Sequence, residues 1–221
     1  MILTRRALLT SSAALALCPT AHAGRYALRR PEAAAPLTAL VTWAPKRPGD
    51  LVIALHGHQS ADAEPTWFAW LRTQPSFAGK ALLVPAIGDP AAWASPGALA
   101  AITAQLDALA PTRTFLIGFS SGATFGFQVA AALADRLSGF APIAGPMPHG
   151  VDAAKLAGVP VLMACMELDT GVPCGALDEG AATLAAAGVA VERHTFKGVG
   201  HECPLDVVAP ALSTWMDRVG R

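Results

Sequence analysis

A serine flanked by two glycines is the residue of this chain best suited to covalent chemistry. The sequence GFSSG at positions 118–122 follows the short apolar run 115–117 and leads into a stretch rich in helix formers that ends near Asp135. A turn between a strand and a helix holds such a serine clear of the backbone, at the positive end of the helix. The flanking glycines avoid collisions with the neighbouring chain. Ser120 is therefore the candidate nucleophile.

A nucleophilic serine needs a base to accept its proton and a carboxylate to orient that base. His201 lies in the Gly-rich segment 198–204, after the last predicted strand, and Asp169 directly follows the second-last predicted strand. Glu167 is an alternative acid, but its position closer to the strand favours pairing with a neighbour. His194 falls within the last strand and is expected to be structural. The sequence thus predicts Asp169 as the acid and His201 as the base.

Stabilisation of an oxyanion requires backbone N–H donors near the nucleophile. Ser121, the residue after the nucleophile, is expected to supply one donor. His58, in the loop after the predicted strand 51–55, is expected to supply the other. We expect His56 to be a structural residue that braces the same loop.

Four further side chains are candidates for substrate contact. Trp67 and Trp93 follow two of the predicted strands and could form an aromatic wall, although covering the seams between helices and sheet is an equally good interpretation. Met147 and His149, in the loop after the predicted strand 139–143, could line the leaving-group side.

The elements that must position these residues alternate along the chain. Strands are predicted at 37–43, 51–55, 81–85, 115–117, 139–143, 159–165 and 189–196, and helices at 96–110, 176–187 and 205–218, besides the helix after Ser120. Apolar strands that alternate with helices predict an α/β fold, with a mostly parallel central sheet, helices on both faces and no large lid. Ligands bind such sheets at the carboxyl ends of the strands, which is where the candidate residues fall.

The first 23 residues have the features of an export signal. Two arginines, Arg5 and Arg6, precede the mostly apolar segment 7–17, and Ala-His-Ala at 21–23 is a suitable cleavage site. The arginine pair fits a twin-arginine signal, and the general secretory route is equally compatible. We therefore expect a signal peptide at 1–23, a single domain at 24–221 and a periplasmic or extracellular location. The segment 24–36, basic and then rich in Ala and Pro, is expected to be a poorly anchored lead-in.

The composition of the chain limits the classes of binding partner that we expect. Hydrophobic residues make up 53% of the chain and charged residues 14%. Loss of the signal would leave 14 basic and 16 acidic residues without a basic run, which argues against nucleic acid as a partner. No later segment has the uninterrupted apolar length of a membrane span, so stable membrane association is not expected. We expect a monomer.

Four blocks of the sequence resemble a known group of enzymes. They are LVIALHGHQ at 51–59, IGFSSGATFGFQVAAALADRLSGFAPIAG at 117–145, ELDTGVP at 167–173 and GVGHECP at 198–204. Their order, nucleophile then acid then histidine, is that of α/β-hydrolases. The chain resembles secreted esterases of this superfamily, most of all the polyhydroxybutyrate depolymerase and feruloyl-esterase-like group, with dienelactone hydrolases and carboxylesterases further off. The resemblance implies ester hydrolysis through an acyl-enzyme on Ser120, with no metal or organic cofactor.

Three cysteines remain after position 23, and an exported protein can keep disulfides. Cys174 lies five residues after Asp169, and Cys203 lies two residues after His201. If the loops that carry the acid and the histidine are neighbours, a Cys174–Cys203 disulfide would join them. Cys165, within a buried strand, would then remain a thiol. The alternative is that all three are reduced and buried.

Other functions fit the same residues. The ester could be of the hydroxyalkanoate, aryl or acetyl type, and a thioesterase, an amidase or a perhydrolase would use the same triad. A non-catalytic binding module with this fold is a further alternative. Such a module would not react with a fluorophosphonate probe at Ser120.

Overall fold

The computed structural model describes residues 24–29, 37–45, 49–58, 71–202 and 205–219. The predicted signal peptide, residues 1–23, lies outside the described residues. No helix within the described ranges is both long and apolar enough to span a bilayer.

The described strands form one twisted α/β sheet. Its strands are β1 Gly24–Arg29, β2 Leu37–Pro45, β3 Asp50–Leu55, β4 Ala81–Ile87, β5 Arg113–Phe119, β6 Gly139–Ile143, β7 Val161–Met166 and β8 Val191–Phe196. They are ordered β1-β2-β4-β3-β5-β6-β7-β8. The six strands from β4 to β8 in this order are parallel to one another, whereas β2 is antiparallel to both β1 and β4. The predicted fold class is thereby confirmed.

Helices cover both faces of the sheet, and no large lid is evident among the described residues. They are α1 Pro96–Leu109, α2 Ser121–Ala132, α3 Asp178–Ala186 and α4 Leu205–Val219. Side chains of α1, α2 and α3 share one hydrophobic core with one face of the sheet. Side chains of α4 pack with the segment 71–77 against the other face. The sheet is thus buried between two apolar layers.

The sequence of β3 shows why this strand lies at the centre. Its residues 51–55 are all apolar and fully buried. Leu51, Ile53 and Leu55 join the core beneath α1 to α3. Val52 and Ala54 join the core beneath α4. An uninterrupted apolar run is what a strand covered on both faces requires.

The segment that follows the predicted signal peptide differs from its prediction. Residues 24–29 form the edge strand β1 rather than a poorly anchored lead-in, with Gly24 opposite Pro45 and Arg29 opposite Leu40 of β2. The arginines that suggested a loose segment are also compatible with an antiparallel edge strand, because such strands commonly carry charged residues.

We predict that the fold depends strongly on Phe127 of α2. This side chain is fully buried and packs edge-to-face on Phe140, with ring centroids 5.0 Å apart. Phe127→Ala would leave a cavity and should lower the free energy of unfolding by roughly 3–5 kcal/mol. Urea denaturation monitored by circular dichroism measures the change. Gln128→Ala, at the exposed neighbouring position, is the control and should change stability by less than about 0.5 kcal/mol.

Candidate active site

Ser120 sits on strained backbone at the junction of β5 and α2. Its φ of 53° and ψ of −120° lie in a region that residues with a side chain rarely adopt. Such strain costs on the order of 1–3 kcal/mol and persists only where surrounding contacts enforce it. One of these contacts is the bond from the Ser120 N–H to the carbonyl of Ile143, at 2.9 Å. The turn therefore holds the serine in one defined position.

The structure brings Ser120, His201 and Asp169 together. Nε2 of His201 lies 2.9 Å from Oγ of Ser120, and Nδ1 of His201 lies 2.5 Å from Oδ2 of Asp169. The three residues come from loops after three different strands, namely β5, β8 and β7. This is the arrangement that the sequence predicts.

Asp169 is a buried carboxylate with several hydrogen-bond donors. Its Oδ1 accepts the N–H groups of Gly171 and Val172 at 2.9 and 2.8 Å, and its Oδ2 faces His201. Burial is the strongest single influence and raises the pKa of Asp169. The hydrogen bonds from His201, Val172 and Gly171, with the charge interaction with His201, outweigh burial and hold the pKa below its ordinary value. Asp169 is therefore ionised at neutral pH and ready to orient the imidazole.

Glu167, the alternative acid, makes other contacts. One carboxylate oxygen pairs with Lys197 Nζ at 2.7 Å, and the other accepts the N–H of Gly198 at 2.9 Å. The hydrogen bond from Lys197, the largest influence, and that from Gly198 lower the pKa of Glu167. The N–H of Leu168 also donates to the carbonyl of Val199 at 2.8 Å. These bonds join the loop that carries Asp169 to the loop that carries His201.

Both glycines of the serine turn are required by close contacts. A Cβ at Gly118 would lie 2.4 Å from the carbonyl oxygen of Gly122. A Cβ at Gly122 would lie 2.4 Å from the carbonyl oxygens of both Leu55 and His56. The start of α2 thus packs directly on the backbone at the end of β3, as the motif predicts.

The residues predicted to supply the oxyanion donors lie in the two segments next to Ser120. Ser121 is the first residue of α2, where helical N–H groups have no intrahelical partner. An added Cβ at Gly57 would lie 3.2 Å from Cβ of Ser120, so the loop that carries His58 runs beside the nucleophile. His58 itself is exposed. A role for Ser121 and His58 as an oxyanion hole remains a prediction.

His56 is buried and braces this loop. Its Nε2 accepts the N–H of Ile87 at 3.4 Å, so Nδ1 carries the proton and donates to the carbonyl of Gly57 at 2.7 Å. The imidazole also packs edge-on against Trp93, with centroids 5.3 Å apart. Burial lowers the pKa of His56, and the bond to Gly57 opposes this only in part. His56 is neutral at pH 7, and it connects the loop after β3 to the end of β4.

The structure places the four candidate substrate-contacting residues in different environments, as far as it describes them. Trp93 is completely buried, so the prediction that it forms an accessible wall is wrong and the core interpretation holds. Its ring fills the space beside His56 and α2 instead. Trp67 lies outside the described residues. Met147 and His149 line a small cleft of about 110 Å³ between the loop after β6 and the first turns of α3.

The disulfide differs from the predicted one. Cys165 of β7 is bonded to Cys174, so neither a Cys174–Cys203 bond nor a free Cys165 thiol is correct. The chain reverses direction between the two cysteines and brings their Cα atoms to 5.2 Å, a separation suited to a disulfide. The bond closes a short loop that contains Asp169. Cys203 lies outside the described residues.

Sequence reasoning missed one residue of the site, Phe119. Its ring centroid lies 4.9 Å from that of His201, with the planes tilted by 38°. The variable position of the G-x-S-x-G motif carries no signal for such a role. Only the apolar type of the residue, at the end of a buried strand, hinted at a packing contact.

The assembled groups are suited to acyl transfer. A serine hydroxyl, an imidazole and a buried carboxylate in a hydrogen-bonded row can generate a nucleophile and return its proton to a leaving group. Within the described part of the chain, no three His, Cys, Asp or Glu side chains are grouped so that they could hold a metal ion.

Comparison with known proteins identifies the fold. The dienelactone hydrolase family matches residues 95–203, just under half of the chain. TT1662 from Thermus thermophilus has a similar structure, with a TM-score of 0.66, 19% identity, and coverage of 89% of this chain and 99% of that one. Esterase PE8 has a TM-score of 0.61 at 21% identity, covering 78% and 93%. Acyl-protein thioesterase 2 of Zea mays has a TM-score of 0.64 at 16% identity, covering 90% and 100%.

The chain therefore has the α/β-hydrolase fold. No curated protein sequence matches it significantly. The family match is to the dienelactone hydrolases, which the sequence analysis placed among more distant relatives. The closer resemblance to polyhydroxybutyrate depolymerases remains a prediction.

The disulfide gives a prediction that separates the two pairings. Replacement of both Cys165 and Cys174 by Ala should lower the free energy of unfolding by roughly 2–3 kcal/mol, because a loop of this length is no longer closed in the unfolded chain. Chemical denaturation measures the loss. Cys203→Ala is the matched control, because it leaves the Cys165–Cys174 bond intact. Destabilisation by Cys203→Ala, with a 174–203 peptide in non-reducing peptide maps, would contradict the assignment.

Burial of neutral His56 predicts that stability falls in mild acid. The unfolded chain takes up a proton near the ordinary histidine pKa of about 6.5, whereas the folded protein resists protonation because its pKa is lowered. Stability should therefore fall as the pH drops below about 6.5, by at most about 1.4 kcal/mol per pH unit from this residue. Urea titrations at pH 7.5, 6.5 and 5.5 measure the slope.

The control for this slope is a histidine outside the site. His56→Gln should flatten the dependence, whereas His194→Gln, in the outer strand β8, should retain it. An unchanged slope in His56→Gln would assign the acid sensitivity to other groups.

Proposed function

We propose that this protein is a serine hydrolase that cleaves carboxylic esters. The observation that carries the proposal is the hydrogen-bonded row of Ser120, His201 and Asp169 at the carboxyl edge of the sheet. The match to the dienelactone hydrolase family and the structural likeness to esterases support it.

In the proposed mechanism, His201 Nε2 takes the proton of Ser120 as Oγ attacks the ester carbonyl carbon. The N–H groups of Ser121 and His58 stabilise the oxyanion of the tetrahedral intermediate. The C–O bond to the alcohol then breaks, and His201 gives its proton to the leaving oxygen. Asp169 fixes the tautomer of His201 and stabilises the imidazolium.

The second half of the cycle repeats these roles with water. His201 takes a proton from water as the water oxygen attacks the acyl-Ser120 carbonyl. Collapse of this intermediate releases the carboxylic acid and returns the proton to Ser120 Oγ. Besides the substrate and this water molecule, the groups that act in the proposed cycle are side chains and backbone groups of the chain.

The proposed substrates are small or oligomeric esters that reach an open site. Hydroxyalkanoate, aryl and acetyl esters are the candidates for the acyl and alcohol parts. The cleft of about 110 Å³ that Met147 and His149 line is the proposed place for a few atoms of the leaving group. Thioesters are a second candidate class, favoured by the structural likeness to acyl-protein thioesterase 2 of Zea mays over the whole of that chain.

We also propose that the protein is exported to the periplasm or beyond. The basic, apolar and small-residue segments of positions 1–23 support a signal peptide. The Cys165–Cys174 disulfide also supports the proposal, since such bonds persist in oxidising compartments.

The proposal predicts hydrolysis of p-nitrophenyl esters that depends on Ser120. Ser120→Ala should lower kcat on the order of 10⁴-fold or more, because no nucleophile remains in the turn. Initial rates across acyl lengths, together with matched S-acyl thioesters, would size the pocket and rank the two substrate classes. Labelling by a fluorophosphonate should occur at Ser120 in the wild-type protein and be lost in the variant.

Two results would contradict this proposal. Equal hydrolysis by the wild-type protein and Ser120→Ala would place any activity elsewhere. No hydrolysis and no labelling by a correctly folded wild-type protein would favour a binding module with this fold.

A further inference from the structure

The ring of Phe119 lies close to both loops on which the proposed chemistry depends. It packs against the imidazole of His201, with ring centroids 4.9 Å apart. Its Cδ1 atom also lies 3.2 Å from where a Cβ of Gly57 would stand, so the ring abuts the backbone of the loop that carries His58. A single side chain thus touches both the base and the predicted oxyanion loop.

The sheet holds this ring firmly. Phe115, Ile117 and Phe119 alternate along β5 and join the core beneath α4. Phe119 is the last of these side chains and is only 4% exposed. Its backbone also pairs with Ile143 of β6. The ring is therefore held in place at the carboxyl end of β5, where the core meets the candidate active site.

His201, by contrast, is partly exposed to solvent. Its side chain is 38% exposed and lies in the loop after β8, which is anchored by the buried side chain of Val199. The hydrogen bond from Nδ1 to Asp169 fixes one atom of the imidazole. Rotation about that bond would carry Nε2 away from Ser120 Oγ, and contact with a flat ring opposes this rotation.

We propose that Phe119 is a positioning residue that holds the imidazole of His201 in line with Ser120 and supports the adjacent oxyanion loop. The inference rests on the proposed function, since it assigns a role within that mechanism. An aromatic ring next to the imidazole also favours the imidazolium formed during the attack, through its interaction with a cation. The contribution of Phe119 is therefore greater in the transition state than in substrate binding.

The test compares Phe119→Leu, Phe119→Tyr and wild-type protein in hydrolysis of a short-chain p-nitrophenyl ester. Phe119→Leu should lower kcat about 10- to 100-fold while KM changes less than about threefold, because a small misplacement of the base affects the chemical step. Phe119→Tyr keeps the ring and should restore kcat to within about threefold of the wild-type value. Phe119→Met serves as the second variant without a ring if Phe119→Leu does not fold.

Phe127→Leu is the matched control for loss of a buried ring. Phe127 lies on the opposite face of the sheet, beneath α1 to α3, and contacts Phe140 rather than the site. This variant should lose stability but retain kcat. If the Phe119 variant without a ring loses stability to the same extent and also retains the wild-type kcat, Phe119 is only a core residue and the inference is wrong.

A second measurement does not depend on turnover. The Nδ1 proton of His201 should give a downfield proton resonance, assigned by its loss in His201→Gln. The resonance should broaden or disappear in Phe119→Leu and persist in Phe119→Tyr. A sharp, unchanged resonance in Phe119→Leu would overturn the inference. Failure of the proposed function would instead appear as ester hydrolysis by wild-type protein that Ser120→Ala does not reduce.

Discussion

The whole site depends on the absence of side chains where α2 begins. The carbonyl oxygens of Leu55 and His56 occupy the position that a Cβ of Gly122 would need, and Gly118 meets Gly122 in the same way. This approach of backbone to backbone brings the end of β3 against the serine turn and forces Ser120 into its unusual conformation. Ser120 and the loop that carries His58 are therefore positioned by one packing contact, and neither could shift without the other.

The electrostatics of the site rest on one buried carboxylate. A carboxylate removed from water is stable only when hydrogen bonds replace its hydration. Asp169 obtains them from Gly171 and Val172 within its own turn and from His201 across the site. The two bonds within the turn form independently of the histidine. Asp169 therefore keeps hydrogen bonds to its carboxylate whatever proton His201 carries, as the proposed mechanism requires.

Much of this arrangement could be predicted from the sequence, because its signals are local. The apolar strands, the glycines at 118–122 and the order of the candidate residues each follow from neighbours in the chain. The predictions that proved wrong depended on where distant or weakly patterned segments lie. The composition of residues 24–29 suggested a poorly anchored segment, but these residues form an edge strand. Trp93 is buried because residues distant in the sequence, such as His56, pack against it. The bond between Cys165 and Cys174 depends on how closely the chain folds back between them, and the sequence analysis did not predict this distance.

The short span between the bonded cysteines has a consequence for how the protein becomes oxidised. Cys165 and Cys174 are nine residues apart, whereas Cys174 and Cys203 are separated by 29. In an unfolded chain, closing the shorter loop costs about 1 kcal/mol less conformational entropy than closing the longer one. Of Cys165, Cys174 and Cys203, the bonded pair is thus also the pair whose thiols meet most often in the unfolded chain. The disulfide can then form before the sheet does. In that case the bond closes the loop that contains Asp169 before β7 pairs with the adjacent strands.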